Sequence, residues 1–294
     1  VVGCSATVER VGKRVDALDD SAWECSKWIS VVDAPVVTKK GAKRAADGAN
    51  WFVTTLKNEQ AVVSAKWMAT SLGVHQIYVN GKPVGEEFLK PGFTHREKTR
   101  HSFTYDVTEA FNLGAGSENL LSAQVTPGWW ADFIITPSRY NGLFGKKCAF
   151  RAVLELTFAD GTTKLYGTDL ESWKAGIAGP VKHAAIFDGE EYDAREKLGF
   201  QTPELLSTPE ENSEFVGNIL PANGAEVYLR HDLTLSPVES YIWKYAENSN
   251  EWEYGKVVID RKYEAGKTIT LNPGETLVID FGQNCAAVPE FTFK

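Results

Sequence analysis

The sequence lacks a long apolar run and lacks a dense cluster of positive charge. No stretch approaches the ~20 consecutive apolar residues of a membrane-spanning helix, so no transmembrane segment is predicted. The net charge is −8, from 31 basic and 39 acidic residues. The densest basic stretch is Lys39-Lys40 with Lys43-Arg44, whereas phosphate neutralisation needs a concentrated basic face. The composition therefore predicts no nucleic-acid partner.

The sequence also lacks the spacings of common metal, nucleophile and phosphate-binding motifs. The 5 histidines form no HxH or HExxH pair, and the 4 cysteines form no CxxC pair. No GxSxG and no P-loop pattern occurs. We therefore predict no metal site and no cofactor. One or two disulfides can form, with three pairings open if all the cysteines take part: Cys4, Cys25, Cys148 and Cys285.

Helical periodicity is nearly absent, and short alternating strands take its place. Apolar residues occupy every second position of 150–158, which is the pattern of a half-buried strand, and Asp160-Gly161 then favours a hairpin turn. Residues 63–70 alternate in the same way, which places Val63 on the apolar face. A strand is also predicted over 227–235, with His231 in its apolar phase as a core histidine.

Many short strands separated by Gly, Pro, Asn and Asp predict an all-β fold. We expect an antiparallel, jelly-roll-like β-sandwich followed by a second, incomplete β-sandwich. The expected ranges are a leader or disordered tail over 1–20, the first sandwich over 21–200 and the second β domain over 201–294. The boundary rests on residues 201–223, which are rich in Pro, Glu, Ser and Asn. Alternatively, residues 201–294 complete the first sandwich.

The stretch 77–111 is a scaffold segment with recognisable turn chemistry. Asn80-Gly81 follows a strand-like run, and both residues tolerate positive φ, so the pair favours a tight hairpin turn. A loop around Pro91-Gly92 comes next, before a second strand-like run. Asp106 or Thr108 then favours the start of a short helical turn.

This stretch resembles the N-terminal β-sandwich of bacterial α-L-rhamnosidases, glycoside hydrolase family 78. The resemblance is carried by the strand, "NG", "PGFT" and "YDVT" of 77–108. It continues in chain order through further motifs: Gly128-Trp129-Trp130, Arg151-Ala152, Asp160-Gly161-Thr162, Trp173, Gly189-Glu190-Glu191-Tyr192-Asp193-Ala194-Arg195 and Asp280-Phe281-Gly282-Gln283-Asn284. It implies that residues near 200 separate two β domains, and that "DFGQN" belongs to the second. Asn80, Gly81, Asp106, Glu190, Asp193, Arg195, Gln283 and Asn284 are interpreted as structural motif residues.

No catalytic residue is predicted in this chain. Glycoside hydrolysis generally uses two carboxylates that flank the scissile bond. The resemblance implies that these lie in a helical barrel C-terminal to the sandwiches, and nothing here resembles that barrel or its acidic motif. Glu190, Glu191 and Asp193 are the densest carboxylate group. A turn braced by a charge-assisted hydrogen bond from Arg195 to Asp193 accounts for that motif without catalysis.

The loop 126–132 is the predicted carbohydrate-binding site, with Trp129, Trp130 and Asp132 as its residues. Adjacent tryptophans on an extended segment point to opposite faces, so one packs inward while the other meets solvent. An exposed indole stacks on a sugar ring, and a nearby carboxylate accepts hydrogen bonds from hydroxyls. The alternative is that both tryptophans seal an interface with a catalytic domain.

Two functions from different classes follow. The first is the non-catalytic N-terminal part of an α-L-rhamnosidase, which braces a C-terminal catalytic domain and binds rhamnose-containing glycans. The second is a stand-alone carbohydrate-binding or adhesion-type sandwich. Val1-Val2-Gly3-Cys4 resembles the end of a bacterial lipoprotein signal, which predicts an extracytoplasmic protein anchored by lipid at Cys4; the alternative is a disordered tail.

Overall fold

A computed structural model of the 294-residue chain describes residues 9–32, 34, 48–95, 97–132, 144–186, 189–224, 226–246, 257–264 and 267–290. Cys4 lies outside these residues. The chain divides into two compact units, Val1–Leu229 and Arg230–Lys294. The domain ranges expected from the sequence stay a prediction. Within the described residues, no helix has the length and apolar character that crossing a bilayer requires.

The first unit consists of strands with a few single helical turns. Its strands are β1 (Lys13–Arg14), β2 (Ile29–Ser30), β3 (Ala49–Lys57), β4 (Val62–Leu72), β5 (Val74–Val79), β6 (Lys82–Pro83), β7 (Thr99–Asp106), β8 (Glu118–Thr126), β9 (Ala149–Phe158), β10 (Thr163–Gly167), β11 (Lys174–Ala178), β12 (Val181–Ala185), β13 (Gly189–Tyr192), β14 (Glu210–Glu211) and β15 (Asn218–Pro221). Its helical turns are α1 (Gly128–Ala131) and the 3-10 turns Asp20–Cys25, Thr108–Ala110, Gly199–Gln201 and Pro203–Leu205.

Two sheets form the sandwich. The larger has the order β1-β7-β4-β9-β2-β14, with β10 also paired to β9 and β15 to β7; the smaller has the order β11-β3-β8-β5-β6. Nearly all these pairings are antiparallel, and β15 with β7 is parallel. The expected all-β antiparallel sandwich is confirmed. A separate two-stranded ribbon joins β12 and β13.

The core lies between the two sheets and is built by alternation along the strands. Phe150, Leu154 and Leu156 of β9 are fully buried, as their alternating positions predicted. Phe150 stacks on Phe52 of β3 with ring centroids 5.7 Å apart, which joins one sheet to the other. The predicted hairpin turn at Asp160-Gly161 is confirmed, because it connects β9 to β10.

Both outer faces of the sandwich are also partly covered. On the larger sheet, Trp23 packs with Met68 and Val153, and on the smaller sheet, Trp51 stacks on Tyr78 with centroids 5.6 Å apart. This second layer explains why β3 and β4 contain continuous buried runs rather than a clean alternation.

The Asn80-Gly81 turn is confirmed and has a second role. Asn80 has φ +50° and Gly81 has φ +82°, and they join β5 to β6. The Asn80 amide also donates to Ala110 O at 2.8 Å and accepts from Leu120 N at 2.8 Å. The predicted helical turn is present as Thr108–Ala110. Its N-cap residue is Val107 and not Asp106 or Thr108, although Asp106 Oδ1 accepts from Thr108 N at 3.0 Å.

Three local expectations from the sequence are wrong. Val63 is 54% exposed because the pairing of β4 with β9 shifts register between Val62 and Ser64, so an irregularity turns Val63 outward. Residues 227–235 form no strand; they contain a 3-10 turn at His231–Leu233, and His231 is exposed rather than in the core. The side chains of Arg230 and Asp232 pair at 2.5 Å at this turn.

The second unit contains one described sheet, with the order β17-β16-β18. Its strands are β16 (Glu239–Tyr245), β17 (Val257–Tyr263) and β18 (Thr276–Asp280). Ile242 is buried, whereas the consecutive residues Val257, Val258 and Ile259 are 43–49% exposed. Since successive side chains of a strand point to opposite faces, both faces of β17 are open. Residues 268–271 form no strand.

Candidate functional site

A shallow cleft lies in the first unit where three segments meet. The aromatic side chains Phe93, Trp129, Trp130 and Phe144 line it, together with Arg100. The loop of Pro91 to Thr94 and the junction between β4 and β5 complete its lining. The predicted tryptophans therefore belong to a cleft, in company with residues that are distant in sequence.

The tryptophans are presented by a helical turn, not by the extended segment that we expected. Gly128 starts α1 with φ +49°, and a Cβ there would lie 2.4 Å from the Val74 side chain. Only glycine fits both the backbone conformation and the close approach. The expected division of roles nevertheless holds, because Trp130 is buried and Trp129 is half-buried.

Trp130 forms the inner wall of the cleft. Its Nε1 donates to Lys147 O at 3.1 Å, so the buried indole nitrogen has a partner. Its ring meets Phe215 edge-on with centroids 6.4 Å apart, and Leu72 and Ala149 pack beside it. Trp130 is therefore fixed in place and can orient the residues in front of it.

Trp129 and Phe93 form the outer rim. Their rings meet edge-on with centroids 5.4 Å apart, and Phe93 is 64% exposed. Phe144 lies on the other side of Phe93 at 6.4 Å. An exposed aromatic rim over a rigid wall is the kind of surface on which the C–H face of a sugar ring packs.

Arg100 supplies the charge of the cleft. It projects from β7 and is 6% exposed, with its guanidinium carbon 4.5 Å from the Trp130 ring centroid and 5.2 Å from that of Phe215. Its Nη1 donates to Thr94 Oγ1 at 2.9 Å and to Thr99 O at 3.2 Å. Burial lowers the pKa of Arg100 to about 10, so the side chain stays protonated at neutral pH.

Asp132, the third residue of the predicted site, does not line the cleft. It is 9% exposed, and its Oδ2 accepts from Ile186 N at 3.1 Å. The carboxylate thus ties the end of α1 to the segment after β12.

The other predicted motif residues occupy structural positions. Arg195 donates from Nε and Nη2 to the two carboxylate oxygens of Asp193, at 2.8 and 2.6 Å, as expected. These hydrogen bonds hold the pKa of Asp193 well below its usual range, which keeps the carboxyl ionised. Glu190 belongs to β13 opposite Ala184. Gln283 and Asn284 are exposed after β18, where Asp280 Oδ1 accepts from Gly282 N at 2.7 Å.

The cysteines described by the structure are all free thiols. Cys148 is buried, which raises its pKa to about 12, and Cys25 and Cys285 are exposed. None of the disulfides that the sequence left open is therefore formed among these three. Cys4 lies outside the described residues.

The cleft can bind a ligand but does not hold the groups for glycoside hydrolysis. Its described lining contains no Asp or Glu, and hydrolysis needs two carboxylates on either side of the bond. Asp193, kept ionised by Arg195, is unsuited to the role of general acid.

Sequence reasoning missed Phe93, Phe144 and Arg100. Phe93 lies within the "PGFT" motif, but that motif was interpreted as a scaffold loop. Arg100 is one basic residue in the polar stretch 95–101, and nothing in its spacing signals burial against Trp130. Only the pairing of β7 with β4 and with β15 shows where this side chain lies.

The fold and the cleft define a class: a β-sandwich module with an aromatic cleft. The family described as the α-L-rhamnosidase N-terminal domain matches residues 60–216. The chain belongs to this family of α-L-rhamnosidase N-terminal domains.

Similar proteins agree with this assignment. An α-L-rhamnosidase of Alteromonas sp. (strain LOR) is 30% identical over 274 residues, which cover 92% of this chain and 26% of that protein. One from Streptomyces avermitilis is 35% identical over 196 residues, which cover 65% of this chain and 18% of that protein. The crystal structure of S. avermitilis α-L-rhamnosidase complexed with L-rhamnose matches with a TM-score of 0.58 and 28% identity, over 66% of this chain and 19% of that one. The chain thus spans about a quarter or less of these relatives.

Proposed function

We propose that this chain is the N-terminal, non-catalytic part of an α-L-rhamnosidase that acts on terminal α-L-rhamnosyl residues. The observation that carries the proposal is the match to the Alteromonas α-L-rhamnosidase, which extends over 92% of this chain yet only 26% of that protein. The remaining three quarters of such a protein leave ample length for a catalytic domain. The cleft without carboxylates supports a division of labour between this part and that domain.

Bracing of the catalytic domain is the first role that we propose. The open strand β17 supports it, because three consecutive apolar residues exposed on both faces of a sheet are costly in water. A further part of the same protein that packed on these residues would remove that cost. The partner in this proposal is the C-terminal catalytic domain.

Activity measurements test the division of labour. The present chain should not hydrolyse an aryl α-L-rhamnoside, whereas the longer polypeptide encoded by the same reading frame should. Deletion of residues 9–229 from that longer polypeptide should lower its thermal stability as well as its activity. Turnover by the present chain alone, or a stop codon directly after Lys294, would overturn the proposal.

Sugar binding at the cleft is the second role that we propose, with rhamnose-containing glycans as ligands. The support is the rim of Trp129 and Phe93 in front of the fixed Trp130. Calorimetric titration with L-rhamnose should show binding to the unaltered chain and its loss in Trp129→Ala. Tyr192→Ala is the matched control, because Tyr192 is 50% exposed but lies in β13, outside the cleft lining. Loss of binding in both variants, or in neither, would contradict the proposal.

An extracytoplasmic location with lipid at Cys4 completes the proposal. Its support is the resemblance of Val1-Val2-Gly3-Cys4 to the end of a lipoprotein signal. Mass spectrometry of the protein isolated from its native host should find Cys4 as a lipidated N-terminus. Recovery of peptides that retain residues 1–3 would contradict anchoring.

A further inference from the structure

Arg100 is a buried cation with no anionic partner among the described residues. No carboxylate forms an ion pair with it in the part of the chain that the structure describes, although Arg14, Arg195, Arg230 and Arg261 all have such pairs. A buried charge left unpaired is costly, and a bound counter-ion offsets that cost. The position of Arg100 in the cleft lining makes this cost relevant to a ligand.

The hydrogen bonds of Arg100 leave part of its guanidinium group available. Arginine has five N–H donors, and the two bonds that the described residues offer both start from Nη1. The guanidinium carbon lies 4.5 Å from the Trp130 ring centroid and 5.2 Å from that of Phe215. The Nε and Nη2 donors form the planar fork that binds a carboxylate or a sulfate through two parallel hydrogen bonds.

Arg151, which is half-buried, shows what a purely structural arginine looks like in this fold. No carboxylate among the described residues pairs with it either, but its Nε donates to Ser26 Oγ at 2.9 Å and its Nη2 donates to Trp23 O and Ser26 O at 2.5 and 2.9 Å. Its fork is therefore filled by fixed oxygens of the protein, and it does not line the cleft. Arg100 differs in both respects.

We propose that the cleft binds an anionic saccharide, whose carboxylate or sulfate pairs with Arg100 while its ring packs against Trp129 and Phe93. This inference rests on the proposed sugar-binding function and names the chemical class of the ligand. A neutral ring gains only the aromatic contacts, whereas an acidic ring also neutralises the buried guanidinium.

Calorimetric titration of the whole chain with matched sugars tests this inference. The probes are galacturonic acid, its methyl ester, galactose and galactose 6-sulfate. The acid should bind at least about ten-fold more tightly than its ester, since hydrogen bonds to charged groups are worth more than neutral ones. Added salt should weaken binding of the acid and leave the ester unaffected. The affinities of galacturonic acid and of galactose 6-sulfate, each measured relative to galactose, show whether the guanidinium prefers a carboxylate or a sulfate.

Variants locate the effect at Arg100. Arg100→Gln should bring the ratio of acid to ester affinities close to one and keep the affinity for the ester, which also shows that the variant is folded. Arg195→Gln removes an exposed arginine outside the cleft and should keep the ratio of the unaltered chain. Equal affinities for acid and ester in the unaltered chain, or an unchanged ratio in Arg100→Gln, would overturn the inference alone. Absence of binding for these sugars and for L-rhamnose would overturn sugar binding as well.

Discussion

The two units use the same antiparallel strands but bury them to very different degrees. In the first unit, β9 contributes five alternate apolar residues to a core between two sheets, and outer clusters cover the sheets again. In the second unit, Ile242 of β16 is buried, while Val257 to Ile259 of β17 remain exposed on both faces. The difference lies in the number of layers and not in the type of strand.

This difference shows where stability is expected to come from. Three strands become independently stable only when a hydrophobic face is covered, because hydrogen bonding within a sheet adds little net free energy. The first unit contains its own covering layers. We therefore expect its amides to be strongly protected from hydrogen exchange, and those of β16 to β18 to exchange through local opening of the second unit.

The largest expected effect is the difference in stability loss between truncating a buried side chain of the first unit and truncating an exposed side chain of the second. Leu154→Ala in β9 should lower the free energy of unfolding of the first unit by about 2–5 kcal/mol, since Leu154 is 1% exposed and its removal leaves a cavity. Val258→Ala in β17 should cost less than about 1 kcal/mol, because Val258 is already 43% exposed. Hydrogen exchange of peptides from each unit, measured at increasing denaturant concentration, gives the loss of unfolding free energy in both variants. Equal losses would show that the second unit is as well packed as the first.

The same contrast explains how much of the fold the sequence could predict. Alternation along β9 was sufficient to place Phe150, Leu154 and Leu156 in the core, because one face of that strand meets the opposite sheet. It failed for Val63, where a register irregularity reverses the side chain, and irregularities leave no simple trace in a pattern of period two. Alternation also failed for His231. It predicted a strand there, but the chain forms a local turn, in which Arg230 pairs with Asp232.

The cleft could be predicted only in part. Trp129 and Trp130 were found because adjacent tryptophans after a glycine are rare and large. Arg100 and Phe93 approach them through strand pairing and a loop some thirty residues away along the chain, which no local pattern encodes. Asp132 was expected beside the ligand because of its position in sequence. The helical turn directs it instead toward Ile186 N.

A buried lysine gives the first unit a pH dependence that the second unit is not expected to share. Lys90 is 1% exposed, and its Nζ donates to Val84 O at 3.1 Å and to Tyr105 OH at 3.2 Å. Tyr105 OH in turn donates to Glu87 at 2.6 Å. Burial, opposed by Glu87 and assisted by Arg10 and Arg14, lowers the pKa of Lys90 to about 7.

The direction of this dependence follows from where the proton binds. Between pH 7 and the unfolded pKa of about 10.4, the unfolded chain binds a proton that folded Lys90 does not. The free energy of unfolding should therefore rise with pH, by up to about 1.4 kcal/mol per pH unit. Denaturant titrations between pH 7 and 8, mostly below the range in which Cys148 ionises in the unfolded chain, measure the slope, and Lys90→Met should remove it. His75, whose pKa burial lowers from 6.5, titrates below this window.

The control for this experiment is Lys244→Met in β16, whose ammonium pairs with Asp260 at 2.5 Å on the surface of the second unit. Removal of this exposed lysine should leave the slope of the first unit unchanged. A flat profile in the unaltered chain would mean that Glu87 and Tyr105 keep Lys90 protonated throughout the range. In that case the charge of Lys90 would contribute to the fold without a pH response.

The smallest expected effect comes from breaking exposed ion pairs. Breaking one pair in each unit tests whether the effect depends on exposure or on the unit to which the pair belongs. Asp260→Asn breaks the pair with Lys244 in the second unit, and Asp193→Asn breaks the pair with Arg195 in the first. Both pairs lie at the surface, where solvent and salt screen them, so neither change should shift the midpoint of thermal unfolding by a resolvable amount at 0.5 M salt. Melting curves at low and high salt measure this. If only the first unit responded at high salt, the turn at Asp193 would be more than a surface feature, and its ion pair would support the β12–β13 ribbon in the folded state.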